Sequence, residues 1–399
     1  MNLKQIRKAI IILIFLLLGV AAGWQLHRQF GDRRGRPLAP GEKADLTLFW
    51  EVWSRLEENF LDQDKLVPEA MVDGAIKGLV DSLGDPYTVF LREQENQRSK
   101  EDLNGSFEGI GIQLGYKDKR LAVMAPLEGM PAEEAGVKAG DLILRIKDEK
   151  KNIDQETIDL SLPEAVNLIR GPGGQAVILT LLSEGEEKAH EVKIVRETIL
   201  VPSVELEFVA AGEVAHLKLM RFGDRTEEEW RQAVDKIQSR TSWLKGVVLD
   251  LRNNPGGYLE GSIFIASEFV KNGLIVKQEG KGETQAYNVN RRGRLTEIPL
   301  VVLVNQGTAS ASEILAGSLR DHQRAQIVGE QTFGKGTIQE AQDLPGGAGL
   351  HVTTARWLLP SGNWIGEEGL TPDAVVELDE EKEGDEQLEK AIEILMTND

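Results

Sequence analysis

The chain has 399 residues and a formal net charge of −19, from 46 Lys+Arg against 65 Asp+Glu. Hydrophobic residues make up 41 % and charged residues 28 %, a mixture that excludes whole-chain disorder and a many-spanning membrane protein. The negative field repels phosphate backbones and argues against a nucleic-acid partner. The absence of cysteine removes disulfides, thiolate nucleophiles and Cys-built zinc sites, and five scattered histidines offer no metal-ligand spacing.

Lys4, Arg7 and Lys8 precede an uncharged apolar run over 9–24. As a helix it would reach only about 24 Å, against about 30 Å of hydrocarbon. Residues 1–36 therefore read as a signal peptide or N-terminal membrane anchor. The location expected is the cell envelope, outside the cytoplasmic membrane, with membrane contact through 9–24 if the segment is uncleaved. A linker with Pro37 and Pro40 follows. Leu46, Phe49, Trp50, Trp53, Leu56 and Phe60 recur at helical spacing, as do Ala75, Ile76, Leu79, Val80 and Leu83 ahead of Gly84-Asp85-Pro86. These patterns predict a helical region over 44–103.

Over 104–197 the texture changes to short strands and Gly turns. Strands are expected at Ile110–Leu114, Leu121–Met124, Leu142–Ile146, Val177–Leu182 and Glu191–Val195, with helices at Pro131–Gly136 and Leu162–Arg170. From 200 the pattern alternates. Val214–Met220, Val247–Leu251 and Leu300–Val304 read as strands, and Thr226–Ser239, Ser262–Val270 and Ser312–Arg320 as helices. This predicts an α/β layer with a partly parallel sheet, whose ligands sit beyond the carboxyl ends of the strands. An acidic run from Asp379 to Glu386, read as a solvated face, precedes an amphipathic helix within 380–399.

Three stretches carry candidate chemistry. Ser310 follows a buried strand and a Gly turn and precedes a helix, where a hydroxyl is exposed and helix N–H groups face an anion. By position alone Ser310 and Ser312 read first as helix caps. Gly329 to Thr337 imitates a phosphate-binding loop, but Lys335 is followed by Gly336 instead of Ser or Thr. A lysine between glycines can approach backbone closely, and desolvation lowers its pKa until it serves as a base. Asp250 to Gly257 ends a strand with two glycines able to present N–H groups to an oxyanion.

Together these stretches resemble the carboxyl-terminal processing peptidases, or tail-specific proteases. The resemblance runs through Asn305 to Leu319, Arg324-Ala325 and Thr332 to Gln339. It continues in Asp250 to Gly257, Leu83 to Thr88, Thr353 to Trp357, Pro360 to Gly362 and Gly369 to Asp373. It implies a multidomain α/β (α+β) chain: a helical N-terminal region, an inserted PDZ β-sandwich-like domain over 104–197, and a ClpP/crotonase-like protease core over 200–379. It implies a serine endopeptidase using Ser310 as nucleophile, Lys335 as base and Gln339 as support. Oxyanion donors would be the N–H groups of Ala311 and of Gly256 or Gly257. A carboxylate-binding loop falls on Gly109, Ile110, Gly111 and Ile112, and Arg170 matches an arginine that couples PDZ position to activity in some members. The expected partners are proteins or peptides with apolar C-terminal tails. No metal or cofactor is implied, and a homo-oligomer is left open. Two rival readings are an inactive PDZ scaffold and a Ser–His hydrolase using His322 or His351.

Overall fold

The computed structural model describes residues 44–397 except 118, 128, 159, 187, 367 and 379–383. The signal peptide or membrane anchor expected over 1–36 lies outside the described residues. Among those described, no helix is long and apolar enough to cross a membrane. The chain divides into two compact units, one ending at Val72 and one starting at Asp73. The first contains helix α1 (Thr47–Asn59), whose Phe49 and Trp50 rings meet edge-on at 5.1 Å and whose Trp53 indole donates to Glu57 at 2.8 Å. Helix α2 (Pro68–Asp81) straddles the division and begins with proline, whose missing N–H has no helical acceptor at that position anyway.

In the second unit, Asp85 accepts the Tyr87 N–H (3.1 Å) and the Thr88 hydroxyl (2.6 Å), closing the turn ahead of β1 (Val89–Leu91). Helix α3 (Glu93–Asn104) follows. The region expected to be helical thus contains a strand. Three apolar residues are too few to show a period of two.

The strand-rich region comprises β2 (Ser106–Gly109), β3 (Ile112–Lys117), β4 (Arg120–Pro126), α4 (Pro131–Glu134), β5 (Leu142–Asp148), β6 (Ile153–Glu156), α5 (Leu162–Ile169), β7 (Ala176–Leu182), β8 (His190–Val195) and β9 (Glu197–Leu200). One antiparallel sheet runs β3-β4-β5-β7-β8 with β6 beside β5, and β2 pairs with β9. Its core is Ile110, Leu121, Val123, Ile143, Ile146, Val177, Leu179 and Ile194. The strand expected over Ile110–Leu114 is interrupted at Gly111. There φ is +72°, and a Cβ would lie 2.4 Å from the Met130 Cβ, so only glycine fits. The fully buried Arg196 pairs with Asp148 at 2.7 Å and donates to the Ile169 carbonyl at 2.6 Å.

The remaining elements are β10 (Val204–Val209), β11 (Val214–Leu219), α6 (Thr226–Gln238), β12 (Gly246–Asp250), α7 (Leu259–Phe269), β13 (Leu274–Gly280), β14 (Thr284–Asn288), β15 (Leu300–Val304), α8 (Ala311–Asp321), β16 (Gln326–Gly329), β17 (Thr337–Asp343), β18 (Gly349–Leu358), β19 (Ala374–Val375) and α9 (Glu386–Thr397). The central sheet runs β10-β11-β12-β15-β16-β19, parallel except for β10 against β11. Strands β12 and β15 are buried at every position. Alternation along them divides the core. Val247, Leu249, Leu300, Val302 and Val304 face the cluster containing α6, α7 and α8, while Val248, Val301 and Leu303 face α9. A second, antiparallel sheet runs β1-β18-β13-β14, with β17 on β18.

The end of β12 is held by a polar network. Asp250 accepts His216 (3.0 Å) and the Arg252 guanidinium, which also grips Asp385 at 2.7 Å and Gln387 at the start of α9. Asp385 is therefore not part of a solvated face, as the acidic run suggested, but an ion-pair partner across the domain. Burial alone would raise the Asp250 carboxyl, yet the His216 and Arg252 hydrogen bonds outweigh it and hold it at about 2, against an ordinary 3.8. A carboxyl lowered in the folded state stabilises the fold above its unfolded pKa and loses that contribution as pH falls through the folded one. About 2 kcal/mol of stability should therefore vanish between about pH 4 and pH 2. Urea denaturation across that range should show a shallower loss in Asp250→Asn. Parallel loss in the two proteins would mean the network carries no such linkage.

Candidate active site

Because β12 and β15 are parallel neighbours, the loops leaving their carboxyl ends lie side by side. Asn253 and Asn305 join them reciprocally: Asn305 Oδ1 accepts the Asn253 N–H at 2.8 Å, and Asn305 Nδ2 donates to Asn253 Oδ1 at 3.0 Å. The buried Thr308 hydroxyl donates to the Leu251 carbonyl at 2.8 Å, and the Asn254 carbonyl accepts both the Ala309 N–H and the Ser312 hydroxyl at 3.0 Å. Ser312, a candidate cap by sequence, is thus a tie between loops inside α8.

Ser310 occupies the position before α8 with φ +57° and ψ −118°, a conformation disfavoured for any residue with a Cβ. Its N–H donates to Glu313 Oε2 at 2.8 Å. The hydroxyl faces the Glu313 N–H as in a capping box but closes no side-chain cap hydrogen bond. Gly256 lies against this turn. A Cβ there would be 2.8 Å from the Ser310 Cβ and 3.0 Å from the Ala311 nitrogen. The Gly256 N–H donates to Asn254 Oδ1 at 2.9 Å. Those of Gly257 and Ala311 meet no acceptor among the described residues. Gly257, at φ +136°, is pressed against the Phe222 carbonyl, 2.1 Å from where a Cβ would stand.

Lys335 lies on the loop between β16 and β17. The N–H groups of Gly334 (2.7 Å) and Lys335 (2.9 Å) donate to the Glu313 carboxylate, as does the Thr332 hydroxyl at 2.6 Å. The loop that imitated a phosphate-binding motif thus spends its N–H groups on a carboxylate of the protein itself. The Lys335 Nζ sits 5.5 Å from the centroid of the Tyr87 ring. Burial pushes its pKa down, against the opposing pull of Glu313. Among the described residues, Ser310 and Lys335 form no hydrogen bond with each other. Gln339, on β17, directs its amide to Thr337 Oγ1 (2.9 Å) and Thr353 Oγ1 (3.1 Å). The Thr353 N–H in turn donates to the Thr88 hydroxyl at 3.0 Å, which ties the turn ahead of β1 to this wall.

The two histidines differ in reach. His322 caps the far end of α8, about 18 Å of helix rise from Ser310, and its Nε2 lies 2.7 Å from the Leu274 carbonyl. This geometry rules it out as the serine's base. His351 on β18 faces the lysine side, where burial and then the Lys335 charge lower its pKa. The Gly-rich tip over 344–349 is docked on α3: Asn96 donates to Asp343 and to the Gly347 carbonyl, both at 3.0 Å. Among the described residues no group of three or more His, Asp or Glu is placed to hold a metal ion.

Gly109 ends β2 opposite Glu197, Ile110 is buried in the core, Gly111 turns the chain and Ile112 opens β3. The Ile110 and Gly111 N–H groups meet no backbone acceptor among the described residues, and β3 is the outermost strand of its sheet. Arg170 follows α5 with its guanidinium 4.0 Å from the Phe107 ring centroid, and its carbonyl accepts Lys151 Nζ at 2.6 Å. The sequence reading missed Glu313, Thr332 and Tyr87. Of these only Glu313 carried a signal, the Ser-x-x-Glu spacing of a capping box.

Comparison with known proteins follows the same division. The family model of peptidase family S41 matches residues 213–376, and that of the PDZ domain matches 123–183. A carboxy-terminal-processing protease of Bartonella bacilliformis is 37 % identical over 339 residues, covering 83 % of this chain and 75 % of the relative. The carboxy-terminal processing protease CtpA of Bacillus subtilis is 36 % identical over 319 residues, covering 79 % of this chain and 65 % of the relative's length. Among solved structures, a photosystem II D1 C-terminal processing protease is 29 % identical with a TM-score of 0.50, covering 90 % of this chain and 98 % of that one. A putative S41 protease from Bacteroides fragilis, 16 % identical, shares the fold at a TM-score of 0.56 over 90 % of this chain and 99 % of its own. The chain belongs to the carboxy-terminal processing proteases of peptidase family S41, with a PDZ domain.

Proposed function

We propose that the protein is a serine endopeptidase that takes substrates by their C-termini on the PDZ domain and cleaves them with a Ser310–Lys335 dyad. The observation that carries this reading is the half-buried lysine amine, on a loop bonded through Glu313 to the strained turn that bears Ser310. The neutral Lys335 amine takes the Ser310 proton as Oγ attacks the scissile carbonyl. The Gly257 and Ala311 N–H groups, which meet no other acceptor among the described residues, receive the oxyanion, and Gly256 keeps the space against Ser310 open. The Lys335 ammonium then protonates the departing amine. Water, deprotonated by the same lysine, releases the acyl group and restores the serine. The serine–lysine contact tightens when substrate enters, as such contacts do in enzymes that are long or misaligned when empty. Gln339 supports the wall beside Lys335 through the Thr337 and Thr353 hydroxyls.

The terminal carboxylate of the substrate binds the Ile110 and Gly111 N–H groups, and the peptide adds a strand to β3. Partly exposed Ile112 and Leu114 of β3 and Leu168 of α5 supply apolar contacts for its side chains. Residues 1–36 export the protease or tether it outside the cytoplasmic membrane, a reading supported by their sequence alone.

The dyad is tested by pH. Free lysine titrates near 10.4, so a base working near neutrality needs a pKa about two to three units lower. For wild type, kcat/KM should rise with pH through an ionisation well below 10 and then level off, while Ser310→Ala and Lys335→Met should lose turnover by about a thousandfold or more. A Lys335→Met enzyme with near-normal rate and the same pH profile would overturn the dyad. Delivery is tested separately. Amidating the last residue of a peptide substrate should raise KM and leave kcat nearly unchanged, whereas equal cleavage of amide and free acid would remove the carboxylate loop from the mechanism.

A further inference from the structure

Glu313 is fully buried one turn into α8, and no step above uses it. Both its oxygens are occupied. Oε2 accepts the Ser310 and Lys335 N–H groups, and Oε1 accepts the Thr332 hydroxyl and the Gly334 N–H. Three of these donors are backbone N–H groups, which can only donate. The fourth, Thr332 Oγ1, accepts the Leu370 N–H at 2.7 Å and donates its proton to Glu313. Oε2 meets only donors, and a proton on Oε1 would require the Thr332 hydroxyl to give up its own bond to the carboxylate, so the donor set favours the ionised form. Burial raises the Glu313 pKa, and the same four donors oppose that rise.

We propose that Glu313 is a positioning residue for the reaction: one carboxylate oxygen sets the spacing of the Ser310 and Lys335 backbones, and its charge sets the pH at which Lys335 becomes a neutral base. This rests on the Ser–Lys reading above. Among the described residues, the titratable groups found around the lysine amine are Glu313 on α8, His351 on β18 and Tyr87 ahead of β1. Tyr87 offers a neutral ring face, and His351 when protonated repels the ammonium. Glu313 is the anion of the three, so it holds the proton on Lys335 against the effect of burial.

The test is the rate of Ser310 phosphonylation by a fluorophosphonate probe, which needs no PDZ delivery. It is followed against pH in the full chain for wild type, Glu313→Gln, Thr332→Val and Lys335→Met. Glu313→Gln should slow the plateau rate by about a hundredfold, because a misplacement near 1 Å is enough to do so. It should also move the governing ionisation down by about half a pH unit or more, because the ammonium loses its counter-charge. Thr332→Val, which keeps the charge and removes one donor, should slow the reaction by about threefold or more at an unmoved ionisation. A folded Glu313→Gln protein with the wild-type ionisation would overturn the proposal. If that variant does not fold, Thr332→Val decides, and a wild-type rate or a shifted ionisation there would overturn it. Lys335→Met separates the two readings. If it keeps the wild-type pH profile, the dyad is wrong. If it abolishes labelling while Glu313→Gln leaves the ionisation in place, the dyad stands and only the role of Glu313 falls.

Discussion

Burying a carboxylate is unfavourable by several kcal/mol unless donors replace its water. Glu313 meets that demand by drawing in donors from the turn before α8 and from the loop after β16. Satisfying the charge therefore imposes a fold constraint, because residues 310 and 335 must approach from different elements. The strained backbone at Ser310 follows from the same constraint. Its N–H has to point at Glu313 while its carbonyl starts the helix ladder by accepting from Ile314. Such a conformation persists only where the surroundings over-determine it, and here Gly256 on one side and Glu313 on the other do so.

The central sheet supplies the frame for this arrangement. Strands β12 and β15, buried on both faces, are fixed in register by parallel pairing from Val247↔Leu300 to Asp250↔Leu303. Their ends cannot slide, so the two loops meet in one way and the asparagine pair can lock them. The Arg252 network does the same from below, joining the start of the glycine loop to the first turn of α9. Geometry at the site thus depends on a segment more than a hundred residues away in the chain.

Much of this was legible in the sequence, and the gaps have physical causes. Buried strands such as Leu300–Val304 and helices such as Leu162–Ile169 announced themselves by uninterrupted apolar runs or helical spacing. The chemistry-bearing stretches were recognisable only together, because a serine ahead of a helix reads by itself as a cap, and it is the order of Asp250–Gly257, Ser310 and Thr332–Gln339 that carries the resemblance. The second sheet was not foreseen. Strands β13, β14 and β17 carry mixed polar sequences, and β1 is three residues long, so their pairing is visible only once the chain is folded. Asp385 looked like one of many solvated acids, because nothing local distinguishes the one that finds Arg252. Glu313 went unnoticed because its spacing from Ser310 fits an ordinary capping box, and its second set of partners lies 19 to 22 residues further on.

The outermost position of β3 has a consequence of another kind. Proteins usually protect a sheet edge with charges, proline, bulges or a covering segment, because unpaired backbone recruits any extended chain. The Ile112-Gln113-Leu114 stretch of this edge carries no charge that would repel an extended chain. Lys117 at its end and the bulge between Gln113 and Leu114 are the local deterrents to a long, flat pairing. These features leave only a short stretch of open edge and discourage strand-to-strand association between neighbouring molecules at high concentration.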